Sequence, residues 1–207
     1  MDLSRRRYWI FDMDGTLTVA IHDFDAMRDA LGLPQGKPIL EQLAELPESK
    51  AAGLRRRLDE IERGLVDRTR PQNGARELLT ALHSNGRRLG ILTRNSHDNA
   101  LETLANCGLD QFFDAGCVLG RESCKIKPSA DGIRKLLADW DAPPQKAVMV
   151  GDYLFDLIAG REAGTATVYL DPSGDFQFAD RADVCVKDLS ELLARVTADK
   201  QDDTDES

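Results

Sequence analysis

Two aspartates separated by one residue stand at the end of the first apolar run in the chain. Asp12 and Asp14 come directly after residues 7–11, and a Gly-Thr pair follows them. The run predicts a buried strand that leads into a tight turn, so both carboxylates would point the same way. Two like charges held this close repel each other, which favours a hard cation such as Mg²⁺ between them. Such a cation would bring phosphate with it, and an aspartate beside bound phosphate can act as a covalent nucleophile.

Two other polar segments offer groups that can bind an anion. Thr93, Arg94 and Asn95 follow the apolar run 89–92 at a predicted helix start. Hydroxyl and backbone N–H groups at such a place can hold a negative charge. Lys127 stands just ahead of the next predicted helix and is a candidate for neutralising phosphate charge.

The last segment of this kind follows the apolar run 147–150. Asp152 comes two residues after that run, and Asp156 stands four residues further on. Together with Asp12 and Asp14, the chain offers several carboxylates, a cation, a hydroxyl and a predicted Mg²⁺ site. That inventory suits phosphoryl transfer, which depends mainly on positioning and electrostatics.

The elements that must position these residues alternate between strands and helices. Predicted strands cover 7–11, 88–93, a short stretch near 116–119, 147–150, 166–170 and 182–186. Predicted helices cover 75–84, 97–107, 129–140, 153–163 and 189–196. This alternation predicts an α/β fold with a parallel sheet that helices cover on both faces.

A helical segment interrupts the alternation directly after the first strand. We predict that residues 19–70 form a small α-helical cap over the loop that carries Asp12 and Asp14, with Ser49 as the N-cap of one helix. The predicted core then comprises residues 1–18 and 71–198. Residues 199–207 are acidic and predicted to be disordered.

Composition limits the partners of this chain of 207 residues. A formal net charge of -9 argues against nucleic acid as the main partner, and no signal peptide or membrane span is predicted. The four cysteines lack a CxxC spacing, which favours reduced thiols in a cytoplasmic protein. The expected partner is a small-molecule phosphate ester, and the sequence leaves monomer and homodimer open.

The order of the motifs resembles a known family. DxDGT, a strand ending in Thr, Lys-Pro and GDxxxD follow one another as in the haloacid dehalogenase (HAD) superfamily of hydrolases. The closest resemblance is to its phosphoglycolate-phosphatase-like branch with a helical cap of the C1 type, over about residues 7–187. It implies a Rossmann-like core and a Mg²⁺-dependent phosphatase that acts on a small phosphoric monoester through an aspartyl-phosphate.

The resemblance also implies roles for the aspartates. Asp12 would attack phosphorus, while Asp14 would protonate the leaving group and then activate water. Mg²⁺ would be held by the carboxylates of Asp12 and Asp152 and by the backbone carbonyl of Asp14. Asp156 would orient the metal shell, directly or through water.

The same resemblance assigns the remaining residues to the substrate. Thr93 would hydrogen-bond the phosphoryl group, and Lys127 would bridge that group and the Asp12 carboxylate; the Lys-Pro pattern favours Lys127 over Lys125. Arg94 and Asn95 are also predicted substrate contacts. Arg94 departs from the family pattern, in which Asn often follows the threonine, so it either touches substrate or faces solvent.

Several alternatives stay open at this stage. A sugar phosphomutase of the same family uses similar residues, and a non-catalytic module could bind a phosphate ligand without turnover. The presence of Asp14 argues against a dehalogenase, and no cap lysine has a convincing context for a phosphonatase. His22 is either a substrate contact or a polar hinge residue. One of the cap arginines could reach a charged substrate group: Arg55, Arg56, Arg63 and Arg68.

Overall fold

The computed structural model describes residues 1–198, and the predicted acidic tail 199–207 lies outside the described residues. The strands are β1 (Tyr8–Phe11), β2 (Arg88–Leu92), β3 (Val118–Leu119), β4 (Ala147–Gly151), β5 (Ala166–Leu170) and β6 (Val184–Val186). The helices are α1 (Phe24–Leu31), α2 (Ile39–Ala44), α3 (Glu48–Arg63), α4 (Ala75–Ser84), α5 (His97–Cys107), α6 (Asp131–Asp139), α7 (Leu154–Ala163) and α8 (Leu189–Ala198).

The strands form one parallel sheet in the order β3-β2-β1-β4-β5-β6. The chain builds outward from β1 through β2 to β3, then returns to β4 and builds in the other direction. The strand order therefore reverses between β1 and β4, which is where open α/β sheets bind their ligands. The predicted α/β fold class with a Rossmann-like parallel sheet is confirmed.

Alternate residues of β1 serve opposite faces of the sheet, as a pleated strand requires. Trp9 and Phe11 pack in a cluster with side chains of α4, α5 and α8. Ile10 packs in a second cluster with side chains of α6 and α7. All three residues are fully buried, so helices cover the sheet on both faces.

Helices α1 to α3 have an apolar cluster of their own. Its buried members are Met27, Leu31, Ile39, Leu43 and Leu58. The two chain segments that lead into and out of these helices run side by side, because Val19 N–H donates to Arg70 C=O at 3.0 Å. We call residues 19–70 the cap, and its boundaries stay a prediction.

Two predicted helix starts were wrong. Helix α3 begins at Glu48 with Pro47 at the N-cap position, so Ser49 lies inside the first turn and caps nothing. Helix α6 begins at Asp131 rather than at 129, because residues 127–130 form the turn that places Lys127 in the site.

Two observations concern membrane-spanning helices and the cysteines. Within residues 1–198, every helix is too short or too polar to cross a lipid bilayer. The four cysteines, Cys107, Cys117, Cys124 and Cys185, are all free thiols.

Candidate active site

Three carboxylates meet where β1 and β4 end side by side. Asp12 directly follows β1, and its N–H donates to Val150 C=O of β4 at 2.9 Å. Asp152 directly follows β4, and Asp156 stands in the first turn of α7. One carboxylate oxygen of each aspartate lies within 4.8 Å of the others. The structure therefore brings together three of the four residues predicted to hold metal through their side chains or backbone.

Two glycines make this close approach possible. Gly15 has φ +91°, and a Cβ at that position would overlap the Asp152 carboxylate. A Cβ on Gly151 would likewise overlap the side chain of Asp156. The glycine of the DxDGT motif thus lets its loop lie against Asp152, and the glycine of the GDxxxD motif leaves room for Asp156.

Lys127 neutralises part of the charge of this cluster. Its Nζ lies 2.6 Å from Asp12 Oδ1 and 2.7 Å from Asp156 Oδ1, and the residue is only 2% exposed. Burial alone would lower the pKa of Lys127, but the two carboxylates outweigh burial and raise it. The ammonium therefore stays charged and fixes the orientation of Asp12.

One lysine does not balance three carboxylates. Burial, followed by the charges of Asp12 and Asp156, raises the pKa of Asp152 well above its usual range. Burial also raises the pKa of Asp156 to about 6, although Lys127 opposes it. A buried cluster of oxygen ligands with surplus negative charge fits a hard divalent cation such as Mg²⁺.

Asp14 has a different environment from the three clustered aspartates. Its Oδ2 accepts a hydrogen bond from Asn95 Nδ2 at 3.2 Å, and His22 Nδ1 lies 4.0 Å from its Oδ1. Burial, and then the charge of Asp12, raises the pKa of Asp14 to about 7. A carboxyl group with this pKa can both donate and accept a proton near neutral pH.

Thr93 and Asn95 form the turn at the end of β2. Both are buried, and Thr93 Oγ1 accepts a hydrogen bond from Asn95 N–H at 3.0 Å. Asn95 Oδ1 accepts from Ser96 N–H at 2.8 Å, so both ends of its amide have protein partners. Asn95 thus supports Asp14, a contact that its sequence context did not indicate.

Arg94 connects the core to the cap. Its Nη2 donates to both carboxylate oxygens of Glu41 in α2, at 2.9 and 2.6 Å, and its Nη1 donates to Lys127 C=O. The guanidinium also lies over the Phe155 ring, 4.8 Å from the centroid. The sequence offered substrate or solvent as its partner and did not include this ion pair.

A single cavity of about 430 Å³ collects the predicted site. All eight predicted site residues line it: Asp12, Asp14, Thr93, Arg94, Asn95, Lys127, Asp152 and Asp156. The cap contributes further lining residues, among them Met27, Leu58 and Glu62. His22 also lines this cavity, whereas the four cap arginines named above do not.

Sequence reasoning missed a second charged group beside the site. Arg121, from the loop after β3, donates to both Glu62 carboxylate oxygens at 3.0 and 2.8 Å and also pairs with Asp59. Burial raises the pKa of Glu62 even though Arg121 opposes that shift. No motif marks these residues, because their pairing depends on how α3 lies against the core.

Comparisons with known proteins identify the family of this chain. The family model of haloacid dehalogenase-like hydrolases matches residues 24–170. A haloacid dehalogenase-like hydrolase domain-containing protein from Arabidopsis thaliana is 33% identical over 185 residues, which is 84% of this chain and 74% of that protein. The pyrophosphatase PpaX from Bacillus pumilus is 34% identical over 126 residues, 59% of this chain and 58% of the relative.

A solved structure supports the fold. The crystal structure of a predicted phosphoglycolate phosphatase from Haemophilus somnus superimposes with a TM-score of 0.75 and 22% identity. The superposition covers 91% of this chain and 97% of that one. At this level of identity the likeness concerns the fold alone.

Proposed function

The chain belongs to the haloacid dehalogenase-like hydrolase family, and on this premise we propose that it is a Mg²⁺-dependent phosphatase of a small phosphorylated metabolite. The proposal is supported by the relative named as a pyrophosphatase and by the buried site at the strand reversal. A phosphoric monoester is the proposed substrate, and an aspartyl-phosphate on Asp12 is the proposed intermediate.

The observation that carries the proposal is the division of the site into two kinds of carboxylate. Asp12 is paired with Lys127, whose Nζ lies 2.6 Å from its Oδ1 and orients the carboxylate, which suits a nucleophile. Asp14, two residues further on, has a pKa of about 7 and an amide partner in Asn95, which suits a general acid and base. An ion-paired carboxylate next to a carboxyl group whose pKa is raised suits a division into a nucleophile and a general acid and base.

The proposed reaction has two steps, and Asp12 and Asp14 take part in both. A carboxylate oxygen of Asp12 forms a bond to phosphorus while the bond to the leaving oxygen breaks, and Asp14 gives its proton to that oxygen. Water then attacks phosphorus and gives a proton to Asp14, and the bond from Asp12 to phosphorus breaks. Inorganic phosphate leaves, and both aspartates return to their starting protonation states.

The residues present fit a bound Mg²⁺. Asp12, Asp152 and Asp156 offer clustered carboxylate oxygens, and the backbone carbonyl of Asp14 is a further proposed ligand. When bound, Mg²⁺ would supply positive charge to the phosphoryl oxygens. Lys127 keeps Asp12 oriented, and Thr93 is proposed to hydrogen-bond the phosphoryl group from the end of β2.

The first experiment measures phosphate release from phosphorylated metabolites and an aryl phosphate, with and without Mg²⁺. We expect release that depends on Mg²⁺, that Asp12→Asn abolishes and that Asp139→Asn, a change at an exposed aspartate, leaves intact. Lack of release from every ester by the intact protein would overturn the proposal and favour the phosphomutase or the binding module.

A second experiment tests the intermediate directly. An aryl leaving group departs without a proton, so Asp14→Asn should still form the aspartyl-phosphate from an aryl phosphate but hydrolyse it slowly. Mass spectrometry of the quenched reaction should then show one added phosphoryl group on the peptide that contains Asp12. An unmodified peptide in a variant that still releases the aryl alcohol would contradict a covalent route.

A further inference from the structure

Two aromatic residues are exposed at the cavity that contains the site. Phe24 is 55% exposed and Tyr153 is 50% exposed, and both line the cavity. The other large exposed apolar residues within 1–198, Met1 and Val19, do not line it. Exposed apolar side chains gathered at a concave site indicate a binding surface more often than scattered ones do.

Neighbouring groups hold these rings in place. Phe24 stacks on His22 with centroids 5.8 Å apart and an interplanar angle of 16°. Tyr153 meets Phe155 edge to face at 5.0 Å and 87°, and Arg94 covers the Phe155 ring. We call Phe24, Tyr153 and Phe155 the aromatic mouth. These ring contacts restrict the rotation of the side chains, which lowers the entropic cost of binding.

The cap wall beyond the aromatic mouth is also apolar. It is lined by Met27, Ile39, Leu40 and Leu58. A substrate whose phosphoryl group lies at Asp12 would therefore extend its leaving group between aromatic rings and aliphatic side chains. Apolar surface of this kind gains most from an apolar ligand.

The charges that line the cavity disfavour a second anionic group on the substrate. The guanidinium of Arg28 is paired with Asp25 and Gln35, and that of Arg94 is paired with Glu41. Glu62, which is paired with Arg121, adds an acidic group to the cavity wall. Among the cavity-lining lysines and arginines within residues 1–198, Lys37 is the one without a side-chain partner, and it stands on the exposed loop before α2.

We propose that the substrate is a phosphate monoester whose leaving group carries an uncharged aromatic ring, bound by the aromatic mouth. This inference rests on the proposed phosphatase function and narrows its substrate class. A ring stacked on Phe24 or Tyr153 gains both apolar burial and favourable ring geometry. A leaving group with a carboxylate, as in 2-phosphoglycolate, would meet acidic groups and paired cations instead.

The test compares esters with similar alkyl leaving oxygens, so that differences report on the rest of the leaving group. We would measure kcat/KM for benzyl, cyclohexylmethyl and ethyl phosphate and for 2-phosphoglycolate. Inorganic diphosphate is measured separately, because it is an anhydride whose leaving group is phosphate. Benzyl phosphate should exceed ethyl phosphate by about 10-fold, as expected for a ring in an apolar pocket. It should exceed cyclohexylmethyl phosphate by about threefold, since aromatic pairs gain beyond their area.

Variants connect the preference to the aromatic mouth. Phe24→Ala should lower kcat/KM for benzyl phosphate by about fivefold and leave ethyl phosphate within about twofold. Val19→Ala is the matched control, because Val19 is also apolar and 41% exposed but lies outside the cavity lining. It should change neither substrate. Both positions are exposed, so each variant should keep the thermal stability of the parent protein.

Each contrary result has one meaning. Equal rates for benzyl and cyclohexylmethyl phosphate, or unchanged rates for benzyl phosphate in both Phe24→Ala and Tyr153→Ala, would overturn the aromatic assignment. A preference for 2-phosphoglycolate or diphosphate that Lys37→Ala removes would replace it with a substrate that carries a second anion. Failure to hydrolyse any of these compounds or an aryl phosphate would instead refute the phosphatase function itself.

Discussion

The carboxyl edge of the sheet and the junction between core and cap both gather carboxylates around one cation, but in different surroundings. At the sheet edge, Asp12 and Asp156 share Lys127 in a space that solvent hardly reaches. At the junction, Arg121 pairs with Glu62 and Asp59, and the Asp59 carboxylate is 37% exposed. Water can screen the surplus charge at the junction, whereas at the sheet edge the surplus charge is relieved by protonation or by a bound cation.

This difference in burial distinguishes the candidate active site from the contact that attaches the cap to the core. Surplus buried charge is costly, and its presence at the sheet edge is compatible with the proposed cation site. The junction contains the same kinds of group, yet their pairing across the interface serves to hold α3 against the core. Residue types alone would not distinguish the two regions, whereas burial and charge balance do.

The largest effect is expected where the surplus charge is buried. Lys127→Met should lower the free energy of unfolding by about 3–5 kcal/mol without metal, because it leaves Asp12 and Asp156 facing each other unpaired. Urea unfolding measures this loss, and added Mg²⁺ should recover part of it. Lys125→Met at an exposed neighbour is the control and should change stability little. Equal effects of the two variants would contradict the charge argument.

A smaller effect is expected at the junction. Arg121→Gln should lower the free energy of unfolding by about 2 kcal/mol, because Glu62 loses two charge-assisted hydrogen bonds while Asp59 gains water. Arg134→Gln, which removes a pair with Glu162 between two half-exposed side chains, should cost less than about 0.5 kcal/mol. If the two variants had the same urea midpoint, burial would not determine how much an ion pair contributes to stability.

The pH dependence of turnover tests the proposed role of Asp14 as general acid. In the proposed mechanism, phosphoryl transfer from an alkyl ester needs protonated Asp14, whose pKa of about 7 arises from burial and then from the Asp12 charge. The kcat/KM for an alkyl ester should therefore fall above about pH 7, by about tenfold per pH unit. For an aryl ester the fall should be weaker, because that leaving group needs no proton.

Asn95→Ala sharpens this prediction. The Asn95 amide donates to Asp14 and favours its ionised form, so its removal should raise the pKa of Asp14 further. The fall in kcat/KM for the alkyl ester should then move to higher pH. A fall that stays in place, or moves to lower pH, would assign the titration to another group.

The fold and the catalytic motifs could be predicted because each depends on local patterns. Asp12 and Asp152 directly follow apolar strands. The alternation of strands and helices predicts a parallel sheet, in which the carboxyl ends of the strands lie at the same edge. The predicted family, hydrolase class and parallel sheet are confirmed. Arg94 marks the limit of that reasoning, because its partner Glu41 lies 53 residues away on the cap.

Other errors and omissions have the same physical origin. Ser49 was wrong as an N-cap because the extended Pro47 already sets the start of α3. The exposure of Phe24 and Tyr153 depends on the position of the cap over the site, which no short motif encodes. Asn95 stays a predicted substrate contact, and the hydrogen bond from its amide to Asp14 is an addition that the sequence did not indicate.

The smallest effect is expected at an exposed pair that also joins cap and core. Arg63 of α3 lies 3.5 Å from Glu102 of α5, and about half of each side chain is exposed. A double-mutant cycle with Arg63→Ala and Glu102→Ala should give a coupling free energy below about 0.5 kcal/mol, which salt should remove. A coupling as large as that between Arg121 and Glu62 would mean that the number of cross-interface pairs, rather than their burial, holds the cap. A small coupling would leave the buried arginine as the main electrostatic contact between α3 and the core.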